Sequence, residues 1–161
     1  MLAVALDATI VAVGPAGERR ITAADFFEGP FMTALAPDEV ITEVRVPLLG
    51  RAGTGVCEKS QTAGDFATIA TMATMHLEGG VIARARIAIA GAEGRPVRPT
   101  EAEEALTGAA PEAEVLRAAA RAAASSVDPI SDAVASGDYR RHLVEVLTRR
   151  ALEDASAGAA A

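Results

Sequence analysis

At 161 residues and 16.4 kDa the chain holds one ordinary domain, or one domain and a piece of another, and has no room for two full-sized ones. Half of the residues are hydrophobic, yet only four Phe and one Tyr are aromatic and Trp is absent, so the core must be built mainly from Ala, Val, Ile and Leu. A formal charge of −7 and a pI near 4.8 repel polyanions and anionic lipid, which argues against nucleic acid or a membrane surface as the principal partner.

The lone Cys57 cannot close an intramolecular disulfide, and one cysteine with two histidines is too few for a closed structural zinc site, so no metal is expected in this chain. A reducing, cytoplasmic compartment suits that cysteine usage. No stretch approaches the roughly 18 apolar residues of a transmembrane helix, and residues 1–8 lack the basic start of a secretory signal.

In chain order, residues 9–13 and 19–21 are β-prone runs around Gly14-Pro15-Ala16-Gly17, which predicts a hairpin. Val40, Thr42, Val44 and Val46 alternate with Glu39, Ile41, Glu43 and Arg45, the period of a half-buried strand that Pro47 ends. Residues 48–64 carry four glycines and the polar run Glu58-Lys59-Ser60-Gln61-Thr62, and read as a connection with a short strand at 56–60. Two longer runs, 66–77 and 81–90, meet at Glu78-Gly79-Gly80 and predict an antiparallel hairpin. In its second strand Val81, Ala83, Ala85, Ile87 and Ile89 share a buried face, and Ile82, Arg84 and Arg86 share one that is wet or packed on a partner.

The period then becomes helical. Thr100-Glu101-Ala102-Glu103 fits a capping box with Gly108 as the stop, and Glu101, Glu103 and Glu104 suit the positive end of that helix. Pro111 suits the first turn of a second helix with Val115, Leu116, Ala119, Ala122 and Ala123 as its stripe. A third helix, 138–154, carries Tyr139, Leu143, Val146, Leu147 and Ala151, and the tail 156–161 is expected to fray. Strands followed by helices give an α+β fold: an antiparallel sheet covered on one face by two or three helices, preceded by a β-rich piece.

Self-sufficient chemistry is absent from this pattern. His76 and His142 lack partners at ligand spacing, and Cys57 has no CxxC mate and sits between Glu58 and Lys59 with opposing effects on a thiol. A hydrolase built on Cys57 or His76 would lack a base and an orienting group. Arg140-Arg141 and Arg149-Arg150 read as a solvated helix face, with Glu145 placed to pair with Arg149. Gly91-Ala92-Glu93-Gly94 is not followed by GK[ST] and a helix, so it is no nucleotide loop. The polar connection 53–66 is the candidate edge for a small molecule.

Several motifs do carry a resemblance. Ala23-Ala24-Asp25-Phe26-Phe27-Glu28-Gly29-Pro30 is followed by Leu35-Ala36-Pro37-Asp38-Glu39-Val40-Ile41-Thr42-Glu43-Val44-Arg45-Val46-Pro47. Glu58-Lys59 precedes Ala63-Gly64-Asp65-Phe66-Ala67, and Val127-Asp128-Pro129-Ile130-Ser131-Asp132 precedes Tyr139-Arg140-Arg141-His142-Leu143 and Arg149-Arg150-Ala151-Leu152. In this order they resemble the FAD-binding (medium) subunit of molybdenum hydroxylases, the group of carbon monoxide, xanthine and aldehyde dehydrogenases. The resemblance implies electron transfer through FAD, from iron–sulfur clusters to an external acceptor, and a complex with a molybdenum-cofactor large subunit and an iron–sulfur small subunit.

It also implies that Lys59, Asp65 and Phe66 lie close to the isoalloxazine, with Ile41 nearby. Family members carry a glycine-rich AGG-type loop and a TIGG-type loop for the FAD pyrophosphate and ribityl chain, and residues 1–13 contain neither. The expected organisation is a partial FAD-binding subdomain at 1–50, a connecting loop at 51–64, a C-terminal domain at 65–155 and a frayed tail at 156–161. FAD would then be held at its isoalloxazine end only, weakly or with a separate N-terminal half as partner. The rival expectation is an assembly or dimerisation module, a homodimer through unpaired strand edges, that does not bind FAD alone.

Overall fold

A computed structural model describes residues 1–161. The turn at Gly14-Pro15-Ala16-Gly17 joins β1 (Thr9–Gly14) to β2 (Gly17–Thr22), and β5 (Val40–Arg45) pairs on the other side of β1, giving an antiparallel sheet of order β2-β1-β5. Between them lie α2 (Ala23–Phe26), which Thr22 caps by accepting the Asp25 N–H, and a small hairpin of β3 (Phe27–Gly29) and β4 (Met32–Thr33). Ahead of this sheet, α1 (Leu2–Ala5) forms a single turn.

The strand at 40–45 forms as expected but is not half-buried. All six of its residues are exposed, because it is an edge strand with β1 as its sole neighbour. A bulge at Thr42 also breaks the alternation: Ala12 pairs with Ile41 and Ile10 with Val44, so Ile41 and Val44 share one face.

A second sheet has the order β6-β7-β8, formed by β6 (Gly53–Lys59), β7 (Ile69–Glu78) and β8 (Val81–Ala90). Gly79 and Gly80 close the β7–β8 hairpin with φ of 59° and 82°, the backbone that a two-residue turn of this twist requires. One register expectation fails here. Leu77 pairs with Ile82 but His76 pairs with Arg84, so Ala83 is an inserted residue and Ile82 turns inward to join Ala85, Ile87 and Ile89.

The helices α3 (Thr100–Leu106), α4 (Ala113–Ser125) and α5 (Gly137–Ala160) cover one face of this sheet, which makes the fold α+β as expected. α5 lies across β6 and β7, α3 sits on β8, and α4 packs on both helices. A core of 21 buried residues fills the space between. The opposite face is covered in part by α1, where Val4 and Ala5 meet Met72 and Ala88.

Several local expectations are corrected. Gly53 and Gly55 belong to a strand and not to a loop, because α5 approaches so closely that a Cβ on either would overlap the Ala155 or Ala151 carbonyl oxygen. The same packing carries α5 through to Ala160, so the tail does not fray at 156. Thr100 lies within α3 and caps nothing, and Glu103 turns into the core. Pro111 precedes α4, whose N-cap is Glu112, and Ala120 and Ala124 are buried where Ala122 is exposed. On α5, Tyr139 is exposed and Arg140 is buried. Arg149 has a carboxylate one turn away on either side and pairs with Glu153, at 2.8 Å, and not with Glu145.

Candidate functional site

The loop at 60–67 leaves the end of β6 and returns at the start of β7. Its two ends are tied together: the Thr68 N–H donates to the Lys59 carbonyl at 2.7 Å. Gly64 supplies a left-handed residue with φ 86°, and the Asp65 N–H closes a turn onto the Thr62 carbonyl at 3.2 Å. The Asp65 Oδ1 accepts the Phe66 N–H at 2.7 Å, which fixes the backbone between the two residues. Lys59 is exposed at the strand end, and the Phe66 ring, 96% exposed, stands free in solvent.

Thus Lys59, Asp65 and Phe66, three of the four residues expected near a flavin, come together at one end of the β6-β7-β8 sheet. Ile41 does not join them; it lies on β5 of the other sheet. Beside the loop is a shallow cleft lined by Gln61, Asp65, Phe66, Thr68, Val134 and Arg140. The Gln61 side-chain amide donates to the Val134 carbonyl at 3.1 Å, docking the loop on the connection between α4 and α5.

Arg140 is the residue that sequence reasoning assigned to solvent. Its guanidinium is buried and donates to the carbonyls of Thr68 at 2.8 Å and Gly91 at 2.9 Å, and to the Asp132 carboxylate at 2.6 Å. The hydrogen bond from Arg140, with those from the Ala135 and Val134 amides, holds the Asp132 carboxyl down to about 2. A signal for Arg140 was present in the sequence: it shares a helical stripe with Val144, Leu147 and Ala151, all buried.

The other candidate groups are dispersed. Cys57 is half-buried, its Sγ 3.9 Å from an Asp154 carboxylate oxygen, and burial together with that carboxylate pushes the thiol up, away from a nucleophilic thiolate. His76 lies on β7 opposite Arg84 and His142 is exposed on α5. No three His, Cys, Asp or Glu side chains are grouped to hold a metal ion.

The loop fits the ring end of a flavin in kind: it offers an uncovered aromatic face and a carboxylate on a braced backbone, with the exposed Lys59 at the end of the adjoining strand. It offers no glycine-rich cradle for a pyrophosphate. When bound, FAD supplies the electron chemistry that none of these side chains carries.

Comparison with known proteins accounts for both halves of the chain. Residues 1–49 match the family model for the FAD binding domain in molybdopterin dehydrogenase, and residues 56–155 match the CO dehydrogenase flavoprotein C-terminal domain. The chain is 36% identical over 157 residues to the nicotine 6-hydroxylase medium subunit of Paenarthrobacter nicotinovorans, covering 98% of this chain and 55% of that one. It is 32% identical over 155 residues to the carbon monoxide dehydrogenase medium chain of Afipia carboxidovorans, covering 96% and 54%.

A solved structure of carbon monoxide dehydrogenase from Hydrogenophaga pseudoflava, lacking the Mo-pyranopterin moiety of its cofactor, superposes with a TM-score of 0.93 at 34% identity, over 98% of this chain and 55% of that one. The chain therefore spans about half the length of the curated relatives it matches. By its two family matches and by its fold, the chain belongs to the FAD-binding medium-subunit family of the molybdenum hydroxylases.

Proposed function

We propose that this chain forms the isoalloxazine side of the flavin site in a molybdenum hydroxylase complex, and serves electron transfer from iron–sulfur clusters through FAD to an external acceptor. Its partners in this reading are a molybdenum-cofactor large subunit and an iron–sulfur small subunit, with the pyrophosphate gripped by loops outside these residues. The observation that carries the reading is the tied loop 60–67, which gathers Lys59, Asp65 and an uncovered Phe66 ring at one sheet end.

The roles of the side chains follow from their chemistry. The Phe66 ring covers one face of the isoalloxazine, the Lys59 ammonium favours negative charge on the reduced ring, and Asp65 braces the Phe66 backbone. The choice of oxidised substrate lies with the molybdenum subunit.

The test is a titration of the purified chain with FAD, followed by flavin fluorescence and by absorption between about 300 and 550 nm, wavelengths at which the protein, which has no Trp, contributes little. Quenching that K59A weakens, and that F66A abolishes, supports the reading. Flavin that titrates without any change in the presence of the chain, with the fold intact by circular dichroism, overturns it for this chain alone.

A second reading, an assembly module that binds no FAD by itself, is favoured by β5, where Val40 and Val44 are 67% and 53% exposed on an unpaired edge. Sedimentation of a concentration series distinguishes it: a dimer that V44K disperses supports this reading, and a monomer at every concentration removes it.

A further inference from the structure

We infer that Arg140 is a positioning residue for the flavin-facing loop, clamping the neck of residues 60–67 so that Phe66 and Asp65 stand at a fixed place relative to Lys59. The inference rests on reading that loop as the isoalloxazine seat. Its geometry is complete in itself. One nitrogen, Nη1, donates to both the Thr68 and the Gly91 carbonyls, joining the start of β7 to the residue that follows β8. The other, Nη2, donates to Asp132 on the connection between α4 and α5. Thr68 passes the constraint on, because its N–H holds the Lys59 carbonyl while its own carbonyl is held by Arg140.

Two further observations point to geometry and not to bulk stability as the reason for this group. Gly91 has φ 88°, and a Cβ there would overlap the Thr68 carbonyl oxygen, so the chain keeps glycine where the two carbonyls must converge on one guanidinium nitrogen. Arg140 is 5% exposed, and its Nε is buried without any partner. A buried guanidinium loses hydration and contributes little net stability compared with an apolar residue of similar volume, whereas its planar fork holds acceptors on three separate segments at once. Lysine has a single nitrogen and cannot span both sides of that fork.

Asp132 is the second half of the clamp. It holds Nη2 with one oxygen and accepts the Val134 and Ala135 amides with the other, and Val134 in turn accepts the Gln61 side-chain amide. The loop is thereby tied at its neck and at its first residues to one connection.

The test uses F66W as the only indole in the chain, with R140K and D132N introduced beside it. Amide exchange is followed across 60–68 and across β7 and β8, together with the anisotropy decay of the indole and its quenching by FAD. R140K is expected to speed exchange at Thr68 and through the loop by roughly tenfold or more and to lower the residual anisotropy, with the β7–β8 core unchanged. D132N is expected to do the same to a smaller extent, since its amide oxygen still accepts from Val134 and Ala135.

Loop exchange and anisotropy equal to the parent in folded R140K overturn the inference, and so does acceleration spread evenly over the sheet. If R140K does not fold, D132N decides by the same two criteria. Quenching by FAD in the parent chain separates the two levels: a loop that R140K loosens in a chain that never quenches with FAD upholds the clamp and overturns only the flavin reading.

Discussion

Glu103 is buried between α3 and β8, where Oε1 accepts the Ile87 backbone N–H at 2.8 Å and Oε2 pairs with Arg98 at 2.6 Å. Arg98 continues to Asp7 at 2.7 Å, so one carboxylate serves a strand amide and a chain of charges. Truncating it strands the Ile87 amide in the interior and leaves Arg98 with Asp7 alone, and E103A should lower the unfolding free energy by about 3 kcal/mol in urea titration. D7N, at the exposed end of the same chain of charges, should cost less than about 1 kcal/mol. Equal losses for the two would show that burial does not govern the network. Asp132 gives a pH-dependent counterpart. Its carboxyl is held at about 2 in the fold against an ordinary 3.8, so its stabilisation is whole above pH 4 and is lost as pH falls toward 2. The thermal midpoints of the parent and D132N should therefore differ at neutral pH, approach one another below pH 4 and meet near pH 2; a gap that persists in acid would mean that the charge is not what Asp132 contributes.

At the scale of elements, the legible parts are those whose signals are local. Gly79-Gly80 specifies its own turn, and Gly108, with φ 84°, ends α3 as expected. Two misreadings have one cause. Gly53 and Gly55 look like loop residues, and 156–161 looks like a frayed tail, until α5 is seen packed on β6, with Gly53 against Ala155, Gly158 and Ala159 and Gly55 against Ala151, about a hundred residues away. Nothing within either segment announces that contact. G55A should therefore cost about 2–3 kcal/mol, as overpacking against backbone, whereas G17A meets open space and only the strain of its positive φ. Denaturation of the two variants checks this, and a G55A as stable as G17A would mean that α5 does not bear on β6. β5 was misread for a related reason, because a single bulged residue moves its apolar side chains between faces. In the candidate site Lys59, Asp65 and Phe66 came from resemblance, but the clamp on their loop came only from the fold: an arginine beside another arginine reads as surface until the helical stripe of Val144, Leu147 and Ala151 is given equal weight.

At the scale of the whole molecule, the two sheets are unequally supported. The β6-β7-β8 sheet is backed by 21 buried residues and three helices, whereas the β2-β1-β5 sheet has a cluster of four buried residues and a wholly exposed edge strand. They are joined by α1, through Val4 and Ala5 against Met72 and Ala88, and by Asp7 reaching Arg86 at 3.0 Å and Arg98. Local opening follows the density of buried apolar contacts, so the smaller sheet should open first. Amide exchange at neutral pH should place β1 and β5 at least about 1–2 kcal/mol below β7 and β8 in opening free energy. V4A thins the apolar part of the junction and should lower β1 and β5 further while leaving β7 and β8 at their parent values. If all strands instead exchange at one free energy and V4A lowers them together, the junction is strong enough to make the chain a single cooperative unit, and the loop at 60–67 would then be coupled to the outer sheet that carries Ile41.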